Sequence, residues 1–487
     1  MKKIVIFIIY GTCCIFSIKV NAQQGILKYV KVYFTQPVDN TYSNNGINAV
    51  QLNNSVFDTL AAYINRAKYT VDLAQYEYET YTGDPIATAI NNAYSRGVKV
   101  RYIQDGNEAA TNSGVKLLNA SIPLLSSPVK NGSACNGEQY NIMHNKFVVI
   151  DEFSPDTTQA IVWTGSPDWD ANMSSGDYNN VIIFQSKVLA RAFTNEFDIM
   201  WGDTTHGGAA GTGKFGSCKP NSGTHVFHIG GSEVELYFSP TDSTNNHIID
   251  EIKSAKKDLY CGMNDFSETT DATDIVNEKN AGVSAYAILD SYSSAGTTPF
   301  TTTLPNGLGS NFTPYTNANY LYHNKFLIVN PSAPCDNPVV LTGSHNWTAS
   351  ADAENDENTV IVHNDTIANL YLQSFANDFK VISGTAVTKI TNPCTTGINS
   401  IDNSGSQLDV YPNPYNGNAT INYTLTQDTK VTISVYNIMG EKVATLLSDI
   451  TLEAGQHTFQ FNGNAAGIYI LQVIEGNHIY TRKLVQE

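Results

Sequence analysis

The stretch HNKFVVID at residues 144–151 returns, nearly unchanged, as HNKFLIVN at residues 323–330. Residues two apart on a β-strand face the same side, about 6.6 Å apart along it. His144 and Lys146 are therefore expected to point one way and Asn145 the other, and His323 and Lys325 repeat the design. The apolar runs that follow, Phe147 to Ile150 and Phe326 to Val329, read as buried strands. Such a strand anchors its polar pair on a rigid element, as a reacting group requires. A single His-x-Lys carries little information; two copies in matching surroundings carry much more.

The surroundings do match. VYFTQPVDN (32–40) resembles LYFSPTDSTN (236–245), and each precedes an amphipathic segment, 56–76 and 248–263, that reads as a helix feeding a strand. Residues 89–105 and 275–290 both read helix, Gly turn, strand, with an Asp at the strand end, Asp105 and Asp290. After the His-x-Lys strands come VWTGSPDW (162–169) and VLTGSHNW (340–347), then a short apolar strand and a helix rich in Phe and Leu. Helices alternating with strands predict an α/β protein of two pseudo-symmetric halves, each a mixed sheet flanked by helices. The expected halves are residues 26–205 and 226–383. A Gly- and Ser-rich linker at 206–225 joins them, and a polar linker at 384–407 follows. From 408 to 487 the pattern changes to short alternating strands with turn signals, which predicts a small β-sandwich.

Residues 1–22 open with Met1-Lys2-Lys3, continue apolar and end in Val20-Asn21-Ala22, as a secretory signal does. The run is shorter than the ~20 residues that span a membrane, which disfavours an anchor. The chain carries a formal net charge of −17, and removing a signal with three lysines and no acids leaves it more acidic still. Such a surface is a poor generic partner for polyanions. Beyond the signal stand five cysteines, Cys135, Cys218, Cys261, Cys335 and Cys394, with no C-x-x-C spacing. Export permits disulfides, and the odd count leaves at least one thiol without an intramolecular partner. No cluster of His, Cys or carboxylates has a metal-ligand spacing, so neither metal nor cofactor is expected.

Two His-Lys pairs suit a phosphodiester. Lysines supply positive charge at neutral pH, one histidine can attack phosphorus, and a second can protonate the departing alkoxide. If the halves meet face to face, one histidine stands on each side of the phosphate.

At this point the chain resembles the phospholipase D superfamily, whose signature is His-x-Lys-x4-Asp followed by Gly-Ser-x-Asn. The likeness covers residues 28–383. It implies a covalent phosphohistidine intermediate and no metal. Carried over, His144, Lys146 and Asp151 match the first motif, with Ser166 behind them; His323 and Lys325 match the second, with Ser344, Asn346 and Glu357. The departures are Asp168 in place of the motif's Asn in the first half, and Asn330 in place of its Asp in the second. Laying DYNNVIIF (177–184) on DENTVIVH (356–363) sets Tyr178 opposite Glu357. The family often orients each histidine with a following acid, which implies Asp177 for His144 and Glu357 for His323. Both acids could instead cap turns. His144, with the complete motif, is expected to be the nucleophile.

The tail resembles the C-terminal sorting domain of proteins exported by bacterial type IX secretion, on YPNP (411–414), VYNIMGEKV (435–443), LEAGQHTF (452–459), GIYILQV (467–473) and TRKLV (481–485). An ordinary carbohydrate-binding or spacer domain is the alternative. The resemblances together imply a monomeric phosphodiesterase, secreted or held at the cell surface after outer-membrane export, that meets membrane surfaces transiently and hydrolyses phospholipid head groups. A secreted metal-independent endonuclease is the alternative enzyme, and a catalytically weak surface binding module the alternative outside catalysis. The polar and aromatic flanks of both motifs, with few cations, favour lipid over a polynucleotide track.

Overall fold

The computed structural model describes residues 25–52, 56–132, 140–203, 210–221, 223–390, 407–425, 427–437, 442–463, 465–475 and 478–486. The predicted signal, Cys135, Cys394 and parts of both predicted linkers lie outside these residues. The chain divides into two compact units, residues 1–393 and 394–487.

The first unit holds two mixed sheets. One contains β1 (Val30–Phe34), β2 (Thr70–Gln75), β3 (Lys99–Gln104), β4 (Leu124–Ser126), β5 (Lys146–Ile150), β6 (Ile161–Gly165) and β7 (Asn180–Gln185), in the spatial order β1-β7-β6-β5-β2-β3-β4. The other contains β8 (Val226–Ile229), β9 (Ser232–Ser239), β10 (Asp258–Met263), β11 (Ser284–Asp290), β12 (Phe312–Tyr315), β13 (Lys325–Val329), β14 (Val339–Gly343) and β15 (Glu357–His363), in the order β12-β11-β10-β13-β14-β15-β9-β8. Read from the opposite edge, the second order repeats the first with one extra strand, β8. The two motif strands, β5 and β13, take the same place in each, between a parallel layer and an antiparallel one.

Every residue of β5 and β13 is buried, which is why both read as unbroken apolar runs. One face of each sheet contributes to a shared core with the helices Lys187–Trp201 and Asp365–Ser383, and the other faces an outer core of its own half. Ser186 and Asn364 cap those helices through Leu189 N and Ile367 N, and Gly202 and Gly384 end them in the left-handed conformation. The Gly of each Gly-Ser pair has a steric cause. A Cβ on Gly165 would stand 2.2 Å from the Asn180 carbonyl oxygen, and one on Gly343 2.1 Å from that of Asn358.

Part of the predicted linker at 206–225 is built into the core. Phe215 is buried, and Lys219 is enclosed with Glu196 (2.5 Å) and Asp356 (2.6 Å) while donating to the Ser239 carbonyl (2.9 Å). Cys218 and Cys335 are disulfide-bonded, and Cys261 is a buried free thiol. The second unit is two antiparallel sheets of three and four strands enclosing one apolar core, the expected sandwich.

Candidate functional site

The two motif histidines stand just before their strands, which begin at Lys146 and Lys325. The acids at the ends of β3 and β11 hold them there. Asp105 accepts from Met143 N (2.8 Å) and Asp290 from Tyr322 N (2.7 Å), one residue ahead of each histidine. The opposite half holds the same segments: Asp356 N donates to Ile142 O and Tyr178 N to Leu321 O, both at 2.9 Å. Each half therefore positions the histidine of the other.

The imidazole partners are crossed in the same way. His144 Nδ1 lies 2.8 Å from Glu357 Oε2, and His323 Nδ1 lies 3.1 Å from Asn179 Oδ1. Glu357 is fixed by Ser344 Oγ (2.6 Å) and Asn355 Nδ2 (3.0 Å), and Asn179 by Ser166 Oγ (2.8 Å). This corrects two expectations. Glu357 serves His144 of the other half, not His323, and Asp177 touches neither histidine but accepts from Leu321 N at 2.6 Å. The alignment that set Tyr178 opposite Glu357 is one residue out of register. Gly165 pairs with Val181 and Gly343 with Thr359, so Asn179 is the counterpart of Glu357. The equal spacing from Ser166 to Asn179 and from Ser344 to Glu357 carried that signal.

Asp151 is a further correction. It sits at the far end of β5, about 16 Å along the strand from Lys146, and accepts from the backbone N–H groups of Lys68, Tyr69 and Thr70. Asn330 does the same for Lys256 and Lys257. Both adopt positive φ, 55° and 52°, which Asp and Asn tolerate. An amide oxygen meets this requirement as well as a carboxylate, so the second half needs no acid there.

Asp168 faces Lys146 Nζ at 3.1 Å and His323 Nε2 at 3.9 Å, so side chains from both motifs surround one point. Its counterpart Asn346 instead accepts from Asp265 N (3.3 Å). The Tyr76 ring, which the sequence did not single out, lies edge-on to His144 and 4.9 Å from Lys146 Nζ.

Burial and the neighbouring Lys325, Lys146 and His144 hold His323 well below the usual imidazole range. Burial also lowers His144, against the pull of Glu357. Burial alone would raise Glu357, but His144 and its hydrogen bond outweigh it and keep the carboxyl low. Both imidazoles are thus neutral at pH 7, and His144 Nδ1–H donates to a carboxylate, leaving Nε2 with a free lone pair. Burial beside Lys146 brings Lys325 down to about 7, and its Nζ lies 3.0 Å from His323 Nε2. Burial raises Asp177 to about 6.

Residues 60–201 and 248–379 match the family model of the cardiolipin synthase, PLD-like domain, over more than half of the chain. The protein belongs to this phospholipase D-like family. Residues 409–487 match the secretion system C-terminal sorting domain, which marks the chain for type IX export and for release or attachment at the cell surface. The chain is 33% identical over 151 residues to the mitochondrial cardiolipin hydrolase of Drosophila melanogaster, covering 28% of this chain and 55% of that protein. It is 26% identical over 153 residues to the phospholipase D of Rickettsia conorii (strain ATCC VR-613 / Malish 7), covering 31% and 72%. It spans 55% and 61% of the cardiolipin hydrolases of Drosophila melanogaster and Xenopus tropicalis. Among solved structures it is similar to phosphatidylserine synthase of Haemophilus influenzae Rd KW20, at 15% identity and a TM-score of 0.49, covering 76% of this chain and 91% of that one.

Proposed function

We propose that this protein is an exported phospholipase D-type phosphodiesterase that releases head groups from phospholipids. The observation that carries the reading is the crossed pair of histidines, one on a carboxylate and one on an amide, with both motif lysines beside them. In the first step His144 Nε2 attacks phosphorus and the phosphorus–oxygen bond to the head group breaks. The charged Lys325 passes a proton across their 3.0 Å contact to Nε2 of His323, and His323 delivers it to the departing alkoxide, which leaves His323 neutral and Lys325 uncharged. In the second step neutral His323 removes a proton from water, the hydroxide attacks phosphorus, and phosphatidate leaves His144. Lys146 and Lys325 balance the phosphoryl charge. Asp168 neutralises Lys146 in the free site and must yield it to the incoming phosphate.

The protein is expected to act as a monomer in transient contact with a membrane surface, after loss of the signal at 1–22, with residues 408–487 serving export. The test is the purified protein on phosphatidylcholine, phosphatidylethanolamine and cardiolipin vesicles and on plasmid DNA, in chelator, with ethanol present. Phosphatidylethanol should form, because an alcohol can replace water in the second step. Nicked DNA without any phosphatidylethanol would replace the lipid reading by the endonuclease reading; activity lost in chelator while the protein stays folded, and restored only by zinc or calcium, would contradict the metal-free chemistry.

A further inference from the structure

At the outer edge of the second half, three elements bring four ligand-type side chains together. Glu233 and Glu235 come from β9, His363 from the last position of β15, and Glu251 from the helix Thr244–Lys253. His363 Nε2 is the common centre: Glu235 lies 2.6 Å away, Glu251 3.9 Å and Glu233 4.0 Å. One atom each from Glu233, Glu235 and His363 fall within 4.8 Å of one another. We propose that this cluster is a structural binding site for a divalent transition ion, zinc foremost.

Charge and chemistry support it. Three carboxylates meet one imidazole, and among the described residues no Lys or Arg pairs with any of them. Even with His363 protonated, the group carries a net charge of −2; a dication that displaces that proton from Nε2 binds a set of charge −3 and reduces it to −1. Glu235, Glu251 and His363 are largely shielded from solvent, with side-chain exposures of 15%, 12% and 12%. Carboxylate pairs packed this closely repel unless something positive lies between them.

Zinc takes imidazole nitrogen at about 2.0–2.1 Å and carboxylate oxygen at about 2.0–2.2 Å, so tetrahedral ligand atoms lie ~3.4 Å apart. The present separations bracket that value, and side-chain rotations of a few tenths of an ångström to about 1 Å would close on an ion. The mixed nitrogen–oxygen set favours zinc over calcium, which prefers all-oxygen cages. Outer contacts steady the ligands: Tyr237 OH donates to the second oxygen of Glu235, and the Asn337 amide lies 3.3 Å from His363 Nδ1. Tyr237 is itself stacked between His225 and His247. No local sequence spacing reveals the set, because its members span residues 233–363.

The ion would tie β9, β15 and the helix together at the end of β15 opposite Glu357, about 20 Å from it along the strand. It is therefore separate from the phosphodiesterase chemistry. The test uses the full-length exported protein, purified without a histidine tag, stripped with chelator, incubated with zinc and gel-filtered. One zinc per chain should remain, the melting temperature should rise, and His363→Gln and Glu235→Gln should each lose the ion. The His144→Ala/His323→Ala double variant should keep it. Zinc-edge anomalous scattering from wild-type crystals should place the ion within about 2.2 Å of His363 Nε2, which covers the case of a variant that does not fold. No retained zinc in the wild type, or an anomalous peak elsewhere, would overturn the proposal.

Discussion

Glu357 of the second half accepts a hydrogen bond from His144 of the first at 2.8 Å, and the residue in the equivalent place, Asn179, faces His323 at 3.1 Å. One imidazole is thus made more basic by a carboxylate and the other is held by a neutral amide. In the proposed mechanism this inequality divides the work between two otherwise repeated halves: the histidine on the carboxylate serves as the nucleophile, and the histidine on the amide gains and loses a proton within each cycle.

Glu357→Gln keeps the shape of the contact and removes its charge. The account predicts a fall in kcat on the order of 10²-fold with little change in KM. Steady-state kinetics on a soluble phosphodiester measures both. A KM effect alone would move Glu357 from chemistry to substrate binding.

Asp151→Asn should leave activity within about 2-fold of wild type, since Asn330 performs the same task with an amide. Asp151→Ala leaves three backbone donors without their acceptor. It should destabilise the fold by about 1–3 kcal/mol. Chemical denaturation of the two variants separates an anchoring role from a catalytic one.

Lys219→Met removes the one cation that, among the described residues, pairs with two fully buried carboxylates, Glu196 and Asp356. A buried pair broken on one side costs about 3–5 kcal/mol. Asp356 also accepts from Tyr140 OH and Gly216 N, and its backbone carbonyl takes the N–H of His144. A loss of stability together with a fall in kcat is therefore expected. A variant as stable as the parent would show that the triad is not under electrostatic tension.

The pH profile of kcat/KM should be bell-shaped and centred below pH 7. His144 must be neutral to attack, and burial sets its pKa below the ordinary imidazole value, so the acid limb lies under 6.5. Lys325 is charged below about 7 and loses its proton as pH rises through that value, which sets the alkaline limb. Lys325→Arg should remove that limb and lower kcat, because a guanidinium stays charged and cannot hand its proton to His323. A profile flat to pH 9 in the parent would show that Lys325 does not titrate near neutrality.

Much of this was readable from the chain. The duplicated HNKF phrase, the matching order of helices and strands, and the β-rich tail came from local patterns of strand period, Gly turns and apolar runs, and the tail's role in sorting from the resemblance of its motifs. The crossed partners did not. Glu357 is 213 residues from His144, and apolar strands such as VIIF and VIVH slide past one another by one residue without a visible penalty. A fixed distance from the preceding Ser was the better ruler. Lys219 was hidden because a buried charge in a Gly- and Ser-rich segment looks like linker until its two carboxylates arrive from other parts of the chain. Asp151 misled because a motif records both what reacts and what holds the strand, and residue type alone does not tell them apart.

The central claim is that His144 forms the covalent bond. It is tested by intact and peptide mass spectrometry of the His323→Ala variant after reaction with a phosphodiester whose leaving group is p-nitrophenol. That leaving group departs without a general acid, and the variant lacks the base that would release the phosphoryl group, so the intermediate should accumulate. The account predicts one phosphoryl adduct on the peptide containing His144, and none in His144→Ala. An adduct in His144→Ala on the peptide containing His323, or no adduct in any variant despite turnover, would contradict it.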